Sequence, residues 1–429
     1  MRRKSLTILL AVVALAAILV VGVVTAAAKG PSTLRPIGVA RLLGNVATRA
    51  HGTTAVSGDV AWSNDLLGGA SSLLSLGNAT PTGLSSLLAG GSGRVWAQDG
   101  KLRLEQQGQN GDFVAVVNGR TAWTWDSVTS TATRYTLPAA TPGAGTTAPS
   151  PAATLDPTTA IGGLIAHLAP TAKLSVAGQT TVAGRQAYLL KLTPTSPVTS
   201  IGSVTVAIDG RRWLPLRVQV FARGDAKAVL SAGFTSVSFH RQSDSLFTFT
   251  PPAGARVVHK TVSAASLGAG APGVAPRHEA AKHAVARPLT LAQAKAQASY
   301  LLTPSSTPAG VPFRGAFVTP AAIKSASGLS AAQRATVSRL AGHRAALLVY
   351  GKGLGTVLVI EARTTAAQDA GLQQQLRALS MLSGGKANGA TRLQTPLGSL
   401  ETLRRGDVRV VVVGLVPMSD VAQIAGSLH

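Results

Sequence analysis

Few residues in this 429-residue chain could do chemistry, and they are scattered. There is no cysteine, which removes disulfides, thiol catalysis and cysteine-ligated metals together. The eight histidines (His51, His167, His240, His259, His278, His283, His343, His429) fall at no spacing suited to zinc. No G-x-S-x-G nucleophile turn occurs. Gly351-x-Gly353-x-Gly355 would have to follow a strand and open a helix to set a phosphate on a helix N-terminus. The strand-like "TVLVIEA" follows instead, so the glycines read as a β-turn. "GGKA" at 384–387 lacks both the spaced upstream glycine and the following Ser/Thr of a phosphate loop. The expectation is a non-enzymatic protein with no catalytic residues, metal ligands or cofactor.

What remains is a surplus of charge and of apolar surface. Lys+Arg 40 against Asp+Glu 16 gives +24. Nucleic-acid binders concentrate basic residues on one element with aromatics interleaved. Here Arg and Lys are spread along the whole length, which fits the outer surface of an anionic membrane better and argues against nucleic acid. The N-terminus agrees. "MRRK" precedes "SLTILLAVVALAAILVVGVVTAAAKG", apolar from Leu6 to Val24 except for Thr7. This run approaches the ~20 residues that cross a bilayer, and Ala26-x-Ala28 also offers a cleavage site. Residues 1–29 therefore read as a signal peptide or, with a slight preference, an uncleaved anchor (6–28), leaving the rest extracytoplasmic.

The elements that would position a binding surface are strands. "PIGVARLLGNVATRA" (36–50) predicts a helix. "TTAVSGDVAW" (53–62), "GRVWA" (93–97), "KLRLEQ" (101–106), "DFVAVVNGRTAWTWD" (112–126) and "TATRYTL" (131–137) predict strands. Asn118-Gly119 predicts a two-residue hairpin turn that sets Val116 against Thr121, Val114 against Trp123 and Asp112 against Trp125. The opposite face carries Phe113, Ala115, Val117 and Ala122. A hairpin half in water should have one polar face, so two apolar faces need two covers.

A short helix (158–169) precedes a second series: "GRQAYLLKLTP" (184–194), "GSVTVAIDGRRWLPLRVQVFARGDAKAVLSAGFTSVSFH" (202–240) and "LFTFTPPAGARVV" (246–258). Asp209-Gly210 is read as a two-residue turn. The total is ten or eleven antiparallel strands. Within this region, 64–93 forms a leucine-rich flap (Leu66, Leu67, Leu73, Leu74, Leu84, Leu87, Leu88), and 139–157 is a Pro/Ala/Thr-rich disordered loop. Residues 259–288 form an Ala/Gly/Pro-rich linker. Residues 289–429 form a small α+β domain: a helix capped by Thr290, a hairpin at 344–363, a helix at 366–382, two strands and a closing helix.

Quoted in order, "HGTTAVSGDVAW", "VNGRTAWTWDSVTSTATRY", "VTVAIDGRRWLPLRVQVFAR" and "FTFTPPAGARVV" resemble the LolA-like superfamily of lipoprotein carriers, in the form found in actinobacteria. The carrying motifs are G-x-x-x-W-x-W-D, D-x-x-x-W-L-P-L-R and F-x-F-x-P-P-A-G-A, over about residues 37–258. With a smaller domain behind, the arrangement also resembles the MucB/RseB regulators, which bind an anti-sigma factor. The resemblance implies an α+β protein whose N-terminal domain, 30–258, is a curved antiparallel sheet. That sheet forms an unclosed β-barrel plugged by helices, and its hollow holds lipid or the acyl chain of a lipoprotein. The expected lining is Trp96, Leu102, Leu104, Val114, Val116, Trp123 and Trp125, with the face of Phe113, Ala115 and Val117 in competition. The other partner it implies is an anti-sigma factor or transporter.

Overall fold

The computed structural model describes residues 34–49, 55–66, 90–108, 111–137, 171–262, 288–318, 345–363, 386–387 and 390–429. The expected helices at 158–169 and 366–382, the loop at 139–157 and most of the linker lie outside them. So do residues 1–33 and every flap leucine except Leu66. Among the described residues no helix is long and apolar enough to cross a membrane.

Helix α1 (Val39–Arg49) puts Val39, Leu42, Leu43 and Val46 on one side, and Leu42 is wholly buried. Twelve strands follow: β1 (Ala55–Asn64), β2 (Gly91–Gln98), β3 (Lys101–Gly108), β4 (Gly111–Asn118), β5 (Thr121–Asp126) and β6 (Thr131–Thr136), then β7 (Ala172–Val182), β8 (Arg185–Pro194), β9 (Ile201–Asp209), β10 (Pro215–Ala222), β11 (Ala228–Phe234) and β12 (Arg256–Thr261). They form one sheet in the order β12-β6-β5-β4-β3-β2-β1-β11-β10-β9-β8-β7. The sheet is curved, and β12 and β7 remain as separate edges, so it is not closed.

Three local expectations are corrected. Asn118 pairs with Thr121, Val116 with Trp123 and Val114 with Trp125, so the turn centres on Gly119-Arg120. Of these two only Gly119 takes a positive φ, 57°. This places glycine at the first central position, as a type II′ turn requires. A slip of two residues leaves every side chain on its expected face. The β9–β10 loop spans residues 210–214 and is organised by Asp209, whose carboxylate accepts from the N–H groups of Arg211 and Arg212. β12 runs parallel to β6 rather than antiparallel, because a long crossing connection brings the chain back to that edge. β12 also extends to Thr261, into the stretch read as linker. The sequence reading omitted β7, an edge strand with mostly exposed or half-buried side chains and a break in register around Gly178.

The second sheet comprises β13 (Phe313–Phe317), β14 (Ala345–Tyr350), β15 (Val357–Arg363), β16 (Lys386–Ala387), β17 (Ala390–Thr395), β18 (Gly398–Arg405) and β19 (Val408–Gly414). Their order is β13-β14-β15-β19-β18-β17-β16, with every pairing antiparallel. Helices α2 (Leu291–Gln297) and α3 (Met418–Gly426) flank it in sequence. Thr290 caps α2 as expected: its hydroxyl accepts from Gln293 N, and the Gln293 amide oxygen accepts from Thr290 N. Leu348, Tyr350, Val357 and Val359 cluster with Val421 and Ile424 of α3, while Leu347, Val349, Leu358 and Ile360 fill the opposite face. Burial on both faces explains why these strands read as unbroken apolar runs.

Candidate functional site

The register of the first sheet sorts its side chains onto two faces. On one, Val95 lies beside Leu104, Leu104 beside Ala115, and Ala115 beside Thr124. The next row on that face runs Ala97, Leu102, Val117, Ala122 and Tyr135. Across the rest of the sheet it continues through Trp62, Ala232, Val218, Val206 and Leu190. Leu42 of α1 joins the cluster that holds Val218, Val206 and Leu190, so this is the face on which the helix lies, here called inner.

The inner face is apolar over most of its extent and polar at one end. Gln106, Phe113, Asp126 and Thr131 form a row across β3 to β6. Trp62 stands near this end of β2: a Cβ added at Gly91 would lie 3.0 Å from the Trp62 ring and 3.3 Å from the Gln106 amide nitrogen. Two buried polar atoms here have no hydrogen-bond partner, Trp62 Nε1 and Asp126 Oδ2. The other Asp126 oxygen accepts from Thr129 N at 3.1 Å. Such an end can receive the polar group of an otherwise apolar guest.

On the outer face the register lines up Trp96, Arg103, Val116, Trp123 and Arg134, with Glu105, Val114, Trp125 and Ala132 in the next row. The seven residues expected to line one hollow are therefore divided. Leu102 and Leu104 are inner, whereas Trp96, Val114, Val116, Trp123 and Trp125 are outer. The competing trio of Phe113, Ala115 and Val117 is inner. Alternation forces this split, since residues of odd and even offset along paired strands cannot share a side. Leu66 joins the cluster around α1.

The outer face is covered by the chain itself. After β11 the backbone continues beside β1, where Ser57 pairs with Ser238. Residues 239–250 then cross β2 to β5 as a strap. Gln98 exchanges two hydrogen bonds with the Gln242 backbone, and Lys101 pairs with Asp244 at 2.8 Å. Arg103 donates to the carbonyls of Leu246 (2.9 Å) and Thr248 (3.3 Å) while held by Glu105. Asn118 reaches the Phe247 carbonyl. Phe247 is 1% exposed, and the Phe249 ring lies 5.6 Å from that of Trp123, with Arg134 also 5.9 Å from the Trp123 ring. The sequence pattern predicts that 246–258 ends the strand series. Phe247 and Phe249 do alternate, but Pro251-Pro252 cannot donate to a ladder.

The described residues hold no group of three or more His, Cys, Asp or Glu that could bind a metal ion. The two sheets touch through the β8–β9 loop, where Thr199 Oγ1 (2.9 Å) and Ser200 N (2.8 Å) both donate to the Leu415 carbonyl.

An open, mostly antiparallel sheet with a helix on its inner face, followed in the chain by a second, antiparallel sheet, is the class of architecture defined here. Solved structures similar to the chain include MucB in complex with MucA(peri), at 16% identity over 91% of this chain and 98% of that one, TM-score 0.40. Another is the Pseudomonas aeruginosa MucA/MucB complex, at 15% identity over 91% and 98%, TM-score 0.40. A LolA superfamily protein from Nitrosomonas europaea is similar over 50% of this chain and 99% of its own, at 11% identity and TM-score 0.20. The names met here are those of the two groups that the sequence motifs resemble. No family model matches the chain, and no curated protein matches it.

Proposed function

We propose that the protein is a non-catalytic, extracytoplasmic binder of lipid or of lipoprotein acyl chains, held on the inner face of the first sheet. The observation that carries this reading is the inner face itself: apolar rows across the sheet, ending in a polar row with the bare Trp62 Nε1 and Asp126 Oδ2 close by. An acyl chain gains about 0.8 kcal/mol per buried CH₂, so about fifteen methylenes supply on the order of 12 kcal/mol before costs. No hydrogen-bonded pocket is needed for that gain, and the polar end would orient the guest. The lining on this reading is Leu102, Leu104, Phe113, Ala115, Val117 and Ala122, in place of the tryptophan face. Residues 30–258 and 289–429 are read as two domains, and residues 6–28 as a membrane anchor or signal. Sequencing the mature N-terminus decides between a tethered and a free form.

The test is native mass spectrometry and lipid extraction of protein purified from membranes, with titration of a fluorescent fatty acid. Co-purifying lipid and saturable probe binding that Leu104→Trp abolishes are expected. A lipid-free protein that ignores the probe would end the proposal.

A second reading rests on the Thr199/Ser200–Leu415 junction. Two sheets joined at this loop, with Leu354 and Leu397 also packed into the cluster around α1, could clamp a membrane protein such as an anti-sigma factor or transporter. A stoichiometric partner in a membrane pull-down, unaffected by added lipid, would favour it.

A further inference from the structure

The outer face beyond the strap holds a buried cation with no counter-charge among the described residues. Arg217 of β10 lies between Ala207 of β9 and Gly233 of β11, with Ala61 of β1 next in the row. It is 6% exposed. Its guanidinium donates to Thr180 Oγ1 at 3.3 Å, and its Nε has no partner. Arg217 enters none of the ion pairs among the described residues.

The adjoining row on the same face is Lys191, Thr205, Gln219, Ser231 and Ser63, with no acid among them. Ser231 is 7% exposed, and its hydroxyl is also unpartnered. The acidic residue nearest in the register, Asp209, is committed elsewhere: Arg185 holds its carboxylate from two nitrogens, and the N–H groups of Arg211 and Arg212 take the rest. Burial pushes the Arg217 guanidinium below its ordinary range, as expected for a charge taken from water with nothing to offset it.

A buried unpaired guanidinium is costly, and its planar fork fits carboxylate or phosphate oxygens two at a time. We propose that Arg217 and Ser231 bind a compact oxyanion, a carboxylate or a phosphate monoester, with Thr180 and Thr205 as hydroxyl neighbours. Its neighbours along the row, Ala207, Gly233 and Ala61, are small and carry no side-chain group that could pair with the fork. The site is on the opposite face from the lipid reading and stands independently of it.

Calorimetric titration of the full chain with inorganic phosphate, dodecyl phosphate, dodecanoate and the neutral dodecanol tests this. The oxyanions should bind, and Arg217→Met should weaken each of them by about tenfold or more, the loss expected for one charge-assisted bidentate pair. Dodecanol binding, which reports only on apolar surface, should be unchanged. Phosphate binding alone would identify a free oxyanion, whereas binding of the two amphiphilic anions alone would identify a lipid head-group. Should Arg217→Met fail to fold, Arg217→Lys and Ser231→Ala serve as the variants, each expected to lose about threefold as one donor is removed or reshaped. Absence of oxyanion binding to the native chain, or affinities unchanged in these variants, would overturn the assignment.

Discussion

The two sheets cover their second faces in different ways. In the C-terminal sheet Leu347, Val349, Leu358 and Ile360 simply continue the core, and the strands are apolar without alternation. In the N-terminal sheet the Trp96–Trp123 face is roofed by a single strap, fastened through Gln98, Lys101, Arg103 and Asn118 to backbone carbonyls and one carboxylate. A face closed by hydrophobic packing is permanent. A face closed by polar fastenings with two phenylalanines beneath is a local unit that can open below the global unfolding free energy.

Substitutions should separate these modes. Leu348→Ala, in the wholly buried core of the second sheet, is expected to cost near the top of the about 2–5 kcal/mol range for such truncations and to abolish cooperative unfolding of that sheet in urea. Phe247→Ala should cost about 3 kcal/mol, the low end for a buried phenylalanine, because the strap can lift. Red-shifted tryptophan fluorescence at low urea should accompany it. Equal costs at the two positions, with no early fluorescence change, would remove the distinction.

Glu361 adds a pH signature to the second sheet alone. It is wholly buried, with one oxygen accepting from Leu302 N at 2.8 Å and the other bare. Burial pushes its carboxyl up to about 8, against the Leu302 bond and the Lys295 charge. The unfolded carboxyl titrates near 4.5, so its contribution to stability is complete below that pH and is lost as pH rises towards about 8. Glu361→Gln should flatten this fall, by on the order of a few kcal/mol in chemical denaturation across that window. An unchanged pH profile would show that the carboxyl is not held neutral.

Smaller effects follow at the strap and the rim. Arg103→Gln should cost about 1–3 kcal/mol, the range for charge-assisted hydrogen bonds, and should speed hydrogen exchange in 244–250 before anywhere in the second sheet. Arg94→Ala removes an exposed pair with Asp59 and should change stability by less than about 1 kcal/mol. A larger loss there would mean the outer rim is more tightly built than its exposure indicates.

Alternating apolar residues, turn residues and cap chemistry are local, so α1, β1–β6, β8–β11, the β14–β15 hairpin and the Thr290 cap were legible in the sequence. So was the two-sided apolar character of the Val114–Trp125 hairpin. The sequence reading combined Leu102 and Leu104 with Trp123 and Trp125 because alternation within a strand does not say which parity of the next strand shares its side. That depends on register, set here by the β3–β4 connection, which pairs Gln107 with Asp112 and so puts Leu102 and Leu104 beside Val117 and Ala115 rather than Val116 and Val114. Composition determined the absence of cysteine chemistry and the basic surface. Only the tertiary structure decided that residues 239–250 roof the tryptophan face, that Arg217 is buried with no acid beside it among the described residues, and that Glu361 lies in a core. Each of these rests on contacts between residues far apart in the chain, and no local pattern encodes them.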